Sequence, residues 1–143
     1  MTSPEDVKER VSKMLMDLRE DGLQDYLDVH VSYETCQQMV KDSVLVEPFL
    51  TSFANMTESH FKTSYRMAFQ DLRKKGDDLR INWIDIVPYN YEYSLTQLDG
   101  MSGLEATLTF AENDHGFSIH ILALLYKGEF HVFFIDQLRR NDA

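Results

Sequence analysis

The sequence predicts an α+β fold in which three N-terminal helices pack on an antiparallel meander of four to five strands. Two observations carry this prediction. Apolar residues recur at helical spacing as far as Gly76 and at about every second position after it. The helical patterns also all precede the strand patterns, an order typical of helices that cover one face of an antiparallel sheet. We expect a single domain over residues 1–143, with a helical layer at 1–76 and the sheet at 77–140.

The first helix has a clear N-terminal signature. Ser3 is a good N-cap, Pro4 suits the first helical position, and Asp6 follows three residues after the cap. Gly22 is expected to end the helix, because glycine readily takes the left-handed conformation found at helix C-termini. The apolar stripe of this helix comprises Val7, Val11, Met14, Leu15 and Leu18.

Two further helices are predicted before the sheet. Ser32 is expected to cap the second helix, and Pro48 to interrupt the chain after it, because proline lacks an amide donor. Thr57 begins the third helix. The basic side chains at 73–75 interact favourably with the negative, C-terminal end of the helix dipole, and Gly76 is expected to be the C-cap of this helix. The apolar face of the third helix comprises Phe61, Tyr65, Ala68, Phe69 and Leu72.

The strand patterns follow one another closely. Residues 81–87 suit a first strand, which Pro88 interrupts. The segment 104–110 alternates between apolar and polar residues, as a half-exposed antiparallel strand does. The chain closes with two strands, GFSIHILALLY and EFHVFFIDQLRR. Turns are expected at 99–103, 112–116 and 127–128.

Composition and charge restrict the classes of function. The chain carries a net charge of −10, and residues 77–143 hold 11 acidic and 4 basic side chains. A field of this sign repels nucleic acid and anionic membranes and attracts basic partners. No apolar run is long enough to span a membrane, and the N-terminus MTSPEDVKERV is acidic where a secretory signal would be basic. With a single cysteine, Cys36, no internal disulfide can form, and we expect a cytoplasmic protein unless a signal peptide has been removed.

The ending LLYKGEFHVFFIDQL combines a Lys-Gly turn, an aromatic-rich strand and an aspartate. This pattern, after a set of helices, resembles the cystatin-like and NTF2-like group of α+β proteins, whose antiparallel meander is long and curved. The likeness covers residues 57–140. The tryptophan that the group typically carries in its last strand is absent, with Phe130 nearest to that position. The group includes isomerases, dehydratases, small-ligand binders and non-catalytic interaction domains, so the resemblance implies a fold without choosing a function.

His120 and His131 lie on the two final strands. With a two-residue turn at 127–128, His120 faces Ile135, and the two histidines share a face about 13 Å apart. With a three-residue loop, His120 faces Asp136 instead, and the histidines lie on opposite faces. Neither register brings the two rings to one metal ion. His120 and Asp136 are the only pair of chemical interest, because they could form a hydrogen bond. The sequence places no serine or cysteine beside them to complete a catalytic triad.

Other catalytic signals are weak. The chain has no GxGxxG, P-loop, HExxH or CxxC motif, so we expect no cofactor and no metal site. Cys36 lies on the apolar face of the second helix, where a buried inert thiol is the ordinary interpretation. An enzyme of the NTF2-like group would need an aspartate aimed into its cavity. Asp85 and Asp136 are the two that lie among apolar neighbours on predicted strands.

The stretch PYNYEYSLTQLDG is the strongest binding signal. Strict alternation would place Tyr89, Tyr91 and Tyr93 on one face, beside Glu92 and Asp99. Tyrosine is enriched at protein interfaces, although these rings would equally well cover the helix side of the sheet. The uncovered edge suggested by Pro88 is also a place for a second copy to add, as is a sheet face.

We therefore expect a non-catalytic acidic binding domain that sequesters or inhibits a basic protein partner, as an immunity protein, inhibitor or chaperone does. The alternative is an NTF2-like small-ligand-binding protein or an isomerase or dehydratase. In that case Asp85 or Asp136 would be the base, and His120 is a further catalytic candidate. A deep apolar cavity with an ionisable residue would favour the enzyme, and a filled interior with an exposed acidic face would favour the binder.

Overall fold

A computed structural model describes residues 1–98 and 100–141, apart from the side chain of Leu98. It has an α+β fold in which helices pack against a four-stranded open antiparallel sheet with the order β1-β2-β3-β4. The elements are α1 (Pro4–Asp17), α2 (Leu23–Val29), α3 (Tyr33–Lys41), α4 (Phe49–Phe53), α5 (Glu58–Asp78), β1 (Ile86–Leu98), β2 (Met101–Glu112), β3 (His115–Tyr126) and β4 (Glu129–Arg140). Short 3₁₀ turns lie at Leu18–Glu20 and Trp83–Asp85. No helix of this part of the chain is long and apolar enough to span a membrane.

The predicted helix starts are confirmed. Ser3, Ser32 and Thr57 are the N-caps of α1, α3 and α5. Each side-chain oxygen accepts a hydrogen bond from the backbone amide three residues later, at 3.1 Å in all three cases. At α1 the Asp6 carboxylate also accepts from the Ser3 amide, which completes the capping box.

The predicted number of helices is wrong, because two short helices lie between the three long ones. The segment after Gly22 forms α2, and the segment after Pro48 forms α4. Both are too short to show a clear helical period in the sequence, and tertiary packing stabilises them. Tyr26 of α2 and Phe53 of α4 are almost fully buried in the core.

Gly76 is not the C-cap of α5, since the helix continues to Asp78. A Cβ atom on Gly76 would lie 2.5 Å from Cζ2 of Trp83, so glycine is required here for close packing of the helix on the indole ring. Arg73 also differs from its predicted role. Its guanidinium donates to the carbonyl oxygens of Leu18 and Asp21, both at 2.6 Å, and so joins α5 to the end of the first helical segment.

Two-residue turns connect β2 to β3 and β3 to β4. The turn at 127–128 has positive φ at Lys127 and Gly128, 51° and 78°, which is the backbone of a type I′ hairpin. The turn predicted at 112–116 contains only Asn113 and Asp114, because both strands extend further than expected. In the turn predicted at 99–103, Asp99 lies outside the described residues and β2 begins at Met101.

One face of the sheet is covered by the helices and carries the core. On β2 the covered residues alternate as predicted, and β3 contributes the residues that pair with them. Phe110 lies beside Trp83, and Phe133 of β4 packs against the rings of Phe49 and Phe53 in α4. The covered residues of β2 and β3 are Leu104, Ala106, Leu108, Phe110, Phe117, Ile119, Ile121 and Ala123.

The first predicted strand begins later than expected. Residues 83–85 form a 3₁₀ turn, and β1 begins at Ile86. The side chain of Asn82 accepts a hydrogen bond from the Ile84 amide, which favours the turn over an extended backbone. The helical layer thus ends at Asp78 and the sheet begins at Ile86, against predicted limits of 76 and 77.

Candidate functional site

The other face of the sheet is the candidate site, which we call the outer face. On this face Leu122 and Leu124 of β3 are buried and Phe134 of β4 packs against Phe49 of α4.

One row of side chains that crosses all four strands is exposed or half-buried. Glu92 of β1 pairs with Thr107 of β2, Thr107 with His120 of β3, and His120 with Asp136 of β4. Three of the residues singled out from the sequence, Glu92, His120 and Asp136, therefore share one row, although they lie far apart in the chain.

A shallow hollow of about 340 Å³ lies on this face at the β1–β2 pair. Glu92 and Glu105 flank it at diagonal positions of the ladder, where neighbouring residues lie about 7–8 Å apart. Both side chains are exposed, and neither forms an ion pair or hydrogen bond with another described residue. The hollow is lined by Glu92, Tyr93, Ser94, Glu105, Ala106, Thr107 and His120.

His120 and Asp136 form the hydrogen bond that one of the two predicted registers implies. His120 Nδ1 lies 3.3 Å from Asp136 Oδ1, with side-chain exposures of 28% and 53%. The turn is the two-residue one, yet His120 pairs with Asp136 because the register shifts after Ala123, where Phe133 is the extra residue on β4. Thr107 lies on the other side of His120 without a hydrogen bond to it. The row therefore lacks the base–nucleophile contact of a catalytic triad.

The three tyrosines of β1 do not share a face, so the predicted alternation is wrong. The register of β1 shifts between Pro88 and Asn90, which leaves Tyr89 as an extra residue. The hydroxyl of Tyr89 lies against Gly116 on the outer face, 3.3 Å from the position of a Cβ atom there. Tyr91 and Tyr93 lie on the helix side, with ring centroids 5.6 Å apart.

Tyr91 has a structural role. Its hydroxyl donates to the carbonyl oxygen of Pro4 at 2.9 Å and so joins β1 to the start of α1. Burial raises the pKa of Tyr91 to about 12, so the hydroxyl keeps its proton near neutral pH. Tyr93 is 46% exposed and remains available to a partner, as does Tyr89.

The remaining predicted site residues are not brought together. Asp85 lies in the exposed 3₁₀ turn, not on a strand, and its carboxylate accepts from Asn82 Nδ2 at 3.0 Å. Asp99 lies outside the described residues. Cys36 is fully buried as expected, and burial raises the pKa of its thiol to about 11. In residues 1–98 and 100–141, no cluster of three or more His, Cys, Asp or Glu side chains has the arrangement of a metal site.

A second depression of about 370 Å³ lies between α5 and the end of β4. Its walls are mainly apolar, with Leu72, Ile135 and Leu138 among them, and its charged lining residues are Asp71, Lys75 and Asp136. The sequence feature that pointed to it was Asp136, an aspartate next to the apolar Ile135 on a predicted strand. Gln137 also lines it, with a positive φ of 57°, and the register of β4 against β3 shifts beside this residue.

Comparisons with known protein families, with curated proteins and with solved structures find no match to this chain.

Proposed function

We propose that the protein is a non-catalytic binding domain that docks a basic protein partner on its outer face. The observation that carries the proposal is the pair of exposed carboxylates of Glu92 and Glu105 at the edge of a hollow, neither of them paired with another described residue. A lysine or arginine side chain of a partner would enter the hollow between the two carboxylates. Charge-assisted hydrogen bonds of that kind are stronger than neutral ones.

The charge distribution supports a basic partner. Residues 77–143, which contain the whole sheet, hold most of the net negative charge of the chain. A surface potential of one sign raises the association rate of an oppositely charged protein and makes that rate sensitive to salt. Tyr89, exposed on the outer face beside Gly116, would add rigid aromatic contact area for the partner.

Within the α+β class, we propose that the fold is of the cystatin-like or NTF2-like type. The order of helices before a four-stranded antiparallel meander is compatible with that type. The space between helices and sheet is filled by large apolar side chains such as Phe110, Phe117 and Phe133, all fully buried. A filled interior favours a binding domain of this group over an enzyme that needs a deep cavity.

The test is affinity capture from a native lysate with a salt-gradient elution. We compare the wild type with the double variant Glu92→Gln and Glu105→Gln. The control is Glu20→Gln with Glu34→Gln, which removes the same charge from exposed positions on the helices. We expect a stoichiometric basic protein that elutes at moderate salt and is lost with the first pair only. Equal retention by both double variants would contradict docking at the hollow.

A small-ligand-binding function is the second candidate, and the depression between α5 and β4 favours it. Its volume of about 370 Å³ lies in the lower range of known small-molecule sites, and Asp136 would orient a cationic or hydrogen-bonding group. The variant Ala68→Trp would fill this depression. Mass spectrometry of the purified protein is expected to show a small molecule that is lost in this variant. A protein purified without one would argue against this function.

A further inference from the structure

The two edge strands of the sheet, β1 and β4, differ in how much of their backbone is hydrogen-bonded to other segments. The first part of the β4 edge is covered by the chain itself. The Val31 amide donates to the Val132 carbonyl at 2.8 Å, and the Phe130 amide donates to the Met1 carbonyl at 2.7 Å. The outer edge of β1 has no paired strand within the described residues. An open edge presents a row of unpaired amides and carbonyls that another strand can join.

β1 is also an unusually apolar and uncharged edge. Glu92 is the only Asp, Glu, Lys or Arg residue among its 13 residues, in a chain that is 27% charged. Tyr93 and Leu95 are 46% and 67% exposed, and Val87 and Tyr89 are exposed as well. Edge strands that remain unpaired usually carry several charges that prevent pairing, and this one carries a single carboxylate.

We propose that the protein forms a symmetric dimer in which β1 pairs antiparallel with β1 of a second copy. Charge selects the second copy as the occupant. The edge of β1 carries a single carboxylate, so it is a strip on which two molecules of net charge −10 can meet with little repulsion. Because a two-fold contact uses the β1 edge of both copies, the pairing closes at two copies and gives one sheet of eight strands.

The proposed register is centred on Ser94, with residues 90–98 of the two copies paired. Tyr93 then lies opposite Leu95 of the second copy, a favourable aromatic–aliphatic pair of two exposed side chains. Glu92 lies opposite Thr96, and the two Glu92 side chains are separated along the strands by about 13 Å, beyond the screening length at physiological salt. Pro88 and the register shift after it lie outside the paired segment.

Sedimentation velocity over a concentration series tests the interface. The variant Leu95→Asp places an unpaired charge opposite Tyr93, and we expect it to weaken the dimer at least about tenfold. Met67→Asp is the matched control, because Met67 is 59% exposed on α5, away from the edge. It is expected to dimerise like the wild type. Circular dichroism and the melting temperature establish that both variants are folded.

Oxidative cross-linking tests the register. In Ser94→Cys the two thiols would face each other across the symmetry axis, at the Cα separation of about 4.5–5.5 Å that a disulfide accepts. In Gln97→Cys they would lie about 20 Å apart along the strands. We expect a covalent dimer with the first variant only. The wild type is the control for Cys36, which is fully buried.

A wild type that stays monomeric up to about 0.1 mM would overturn the dimer. A dimer unaffected by Leu95→Asp, or one in which both cysteine variants cross-link equally, would overturn the proposed interface. None of these results depends on whether a basic protein binds the outer face, so the two proposals fail separately.

Discussion

His30 lies between the rings of Tyr26 and Tyr65, with centroid separations of 4.4 and 4.6 Å. Its Nδ1 lies 2.7 Å from the carbonyl oxygen of Tyr26. Because a carbonyl only accepts, Nδ1 carries the proton, and Nε2 is buried without a partner among the described residues. A second proton would place a charge in apolar surroundings. Burial therefore lowers the pKa of His30 to about 4, although the hydrogen bond to Tyr26 acts in the opposite direction.

This predicts that the protein loses stability in mild acid. The unfolded chain takes up a proton on His30 below about pH 6.5, whereas the folded chain does so only near pH 4. Stability is therefore expected to fall as pH decreases through this window, by about 2 kcal/mol between pH 7 and pH 5 from this residue. Burial also lowers the pKa of His131, which adds a contribution of the same sign.

Urea unfolding at the two pH values measures the effect. His30→Phe should reduce the pH dependence, and His60→Gln, at an exposed position, should leave it unchanged. Nuclear magnetic resonance of the imidazole ring gives a direct check that needs no variant. A His30 ring that titrates near pH 6.5 in the folded protein would refute this explanation.

At the scale of single residues, the sequence predicts features that depend only on neighbouring residues in the chain. The caps at Ser3, Ser32 and Thr57 were predictable because each needs only a short side chain and an amide three residues later. The position of His30 was not, because its neighbour Tyr65 comes from a distant helix. Its one local signal was Tyr26, four residues earlier, which supplies the carbonyl.

At the scale of elements, Gly76 of α5 packs directly against the indole ring of Trp83, which lies in the 3₁₀ turn before β1. A methyl group at Gly76 would meet the indole ring at 2.5 Å, and the ring is buried and cannot move freely. We expect Gly76→Ala to destabilise the protein. Overpacking typically costs about 1–3 kcal/mol, more than the gain of about 1 kcal/mol from the higher helix propensity of alanine.

A double-mutant cycle with Trp83→Phe isolates the contact. The smaller ring leaves room for the methyl group, so Gly76→Ala should cost less in that background. Denaturant unfolding of the four proteins provides the free energies. Stabilisation of the wild type by Gly76→Ala would mean that propensity outweighs packing, contrary to the structure.

Strand register shows where sequence patterns stop being informative. The pairing of Tyr126 with Glu129 follows from the Lys-Gly turn and was predictable. The extra residues Tyr89 and Phe133 were not, because a β-bulge leaves alternation intact on each side and shifts only the relation between them. These two bulges put Tyr89 on the outer face and His120 opposite Asp136. The candidate site therefore depends on two β-bulges that the alternation of apolar and polar residues in the sequence did not reveal.

For the whole molecule, the sequence predicted the α+β class and the division into a helical part and an acidic sheet part. It did not predict which part of the sheet stays exposed, since both faces of β2 and β3 contain buried residues. The helices leave Glu92 and Glu105 in solvent, while apolar side chains fill the space beneath the sheet. Binding at the outer face is accordingly the central proposal.

The most direct test is a titration of the ¹⁵N-labelled protein with a hexa-arginine peptide, followed by ¹H–¹⁵N correlation spectra. We predict that the largest chemical-shift changes occur at Glu92, Glu105, Thr107 and His120, and that they disappear in the variant with Glu92→Gln and Glu105→Gln. Changes centred on the helices, or the same changes in the double variant, would contradict docking of a basic partner on the outer face.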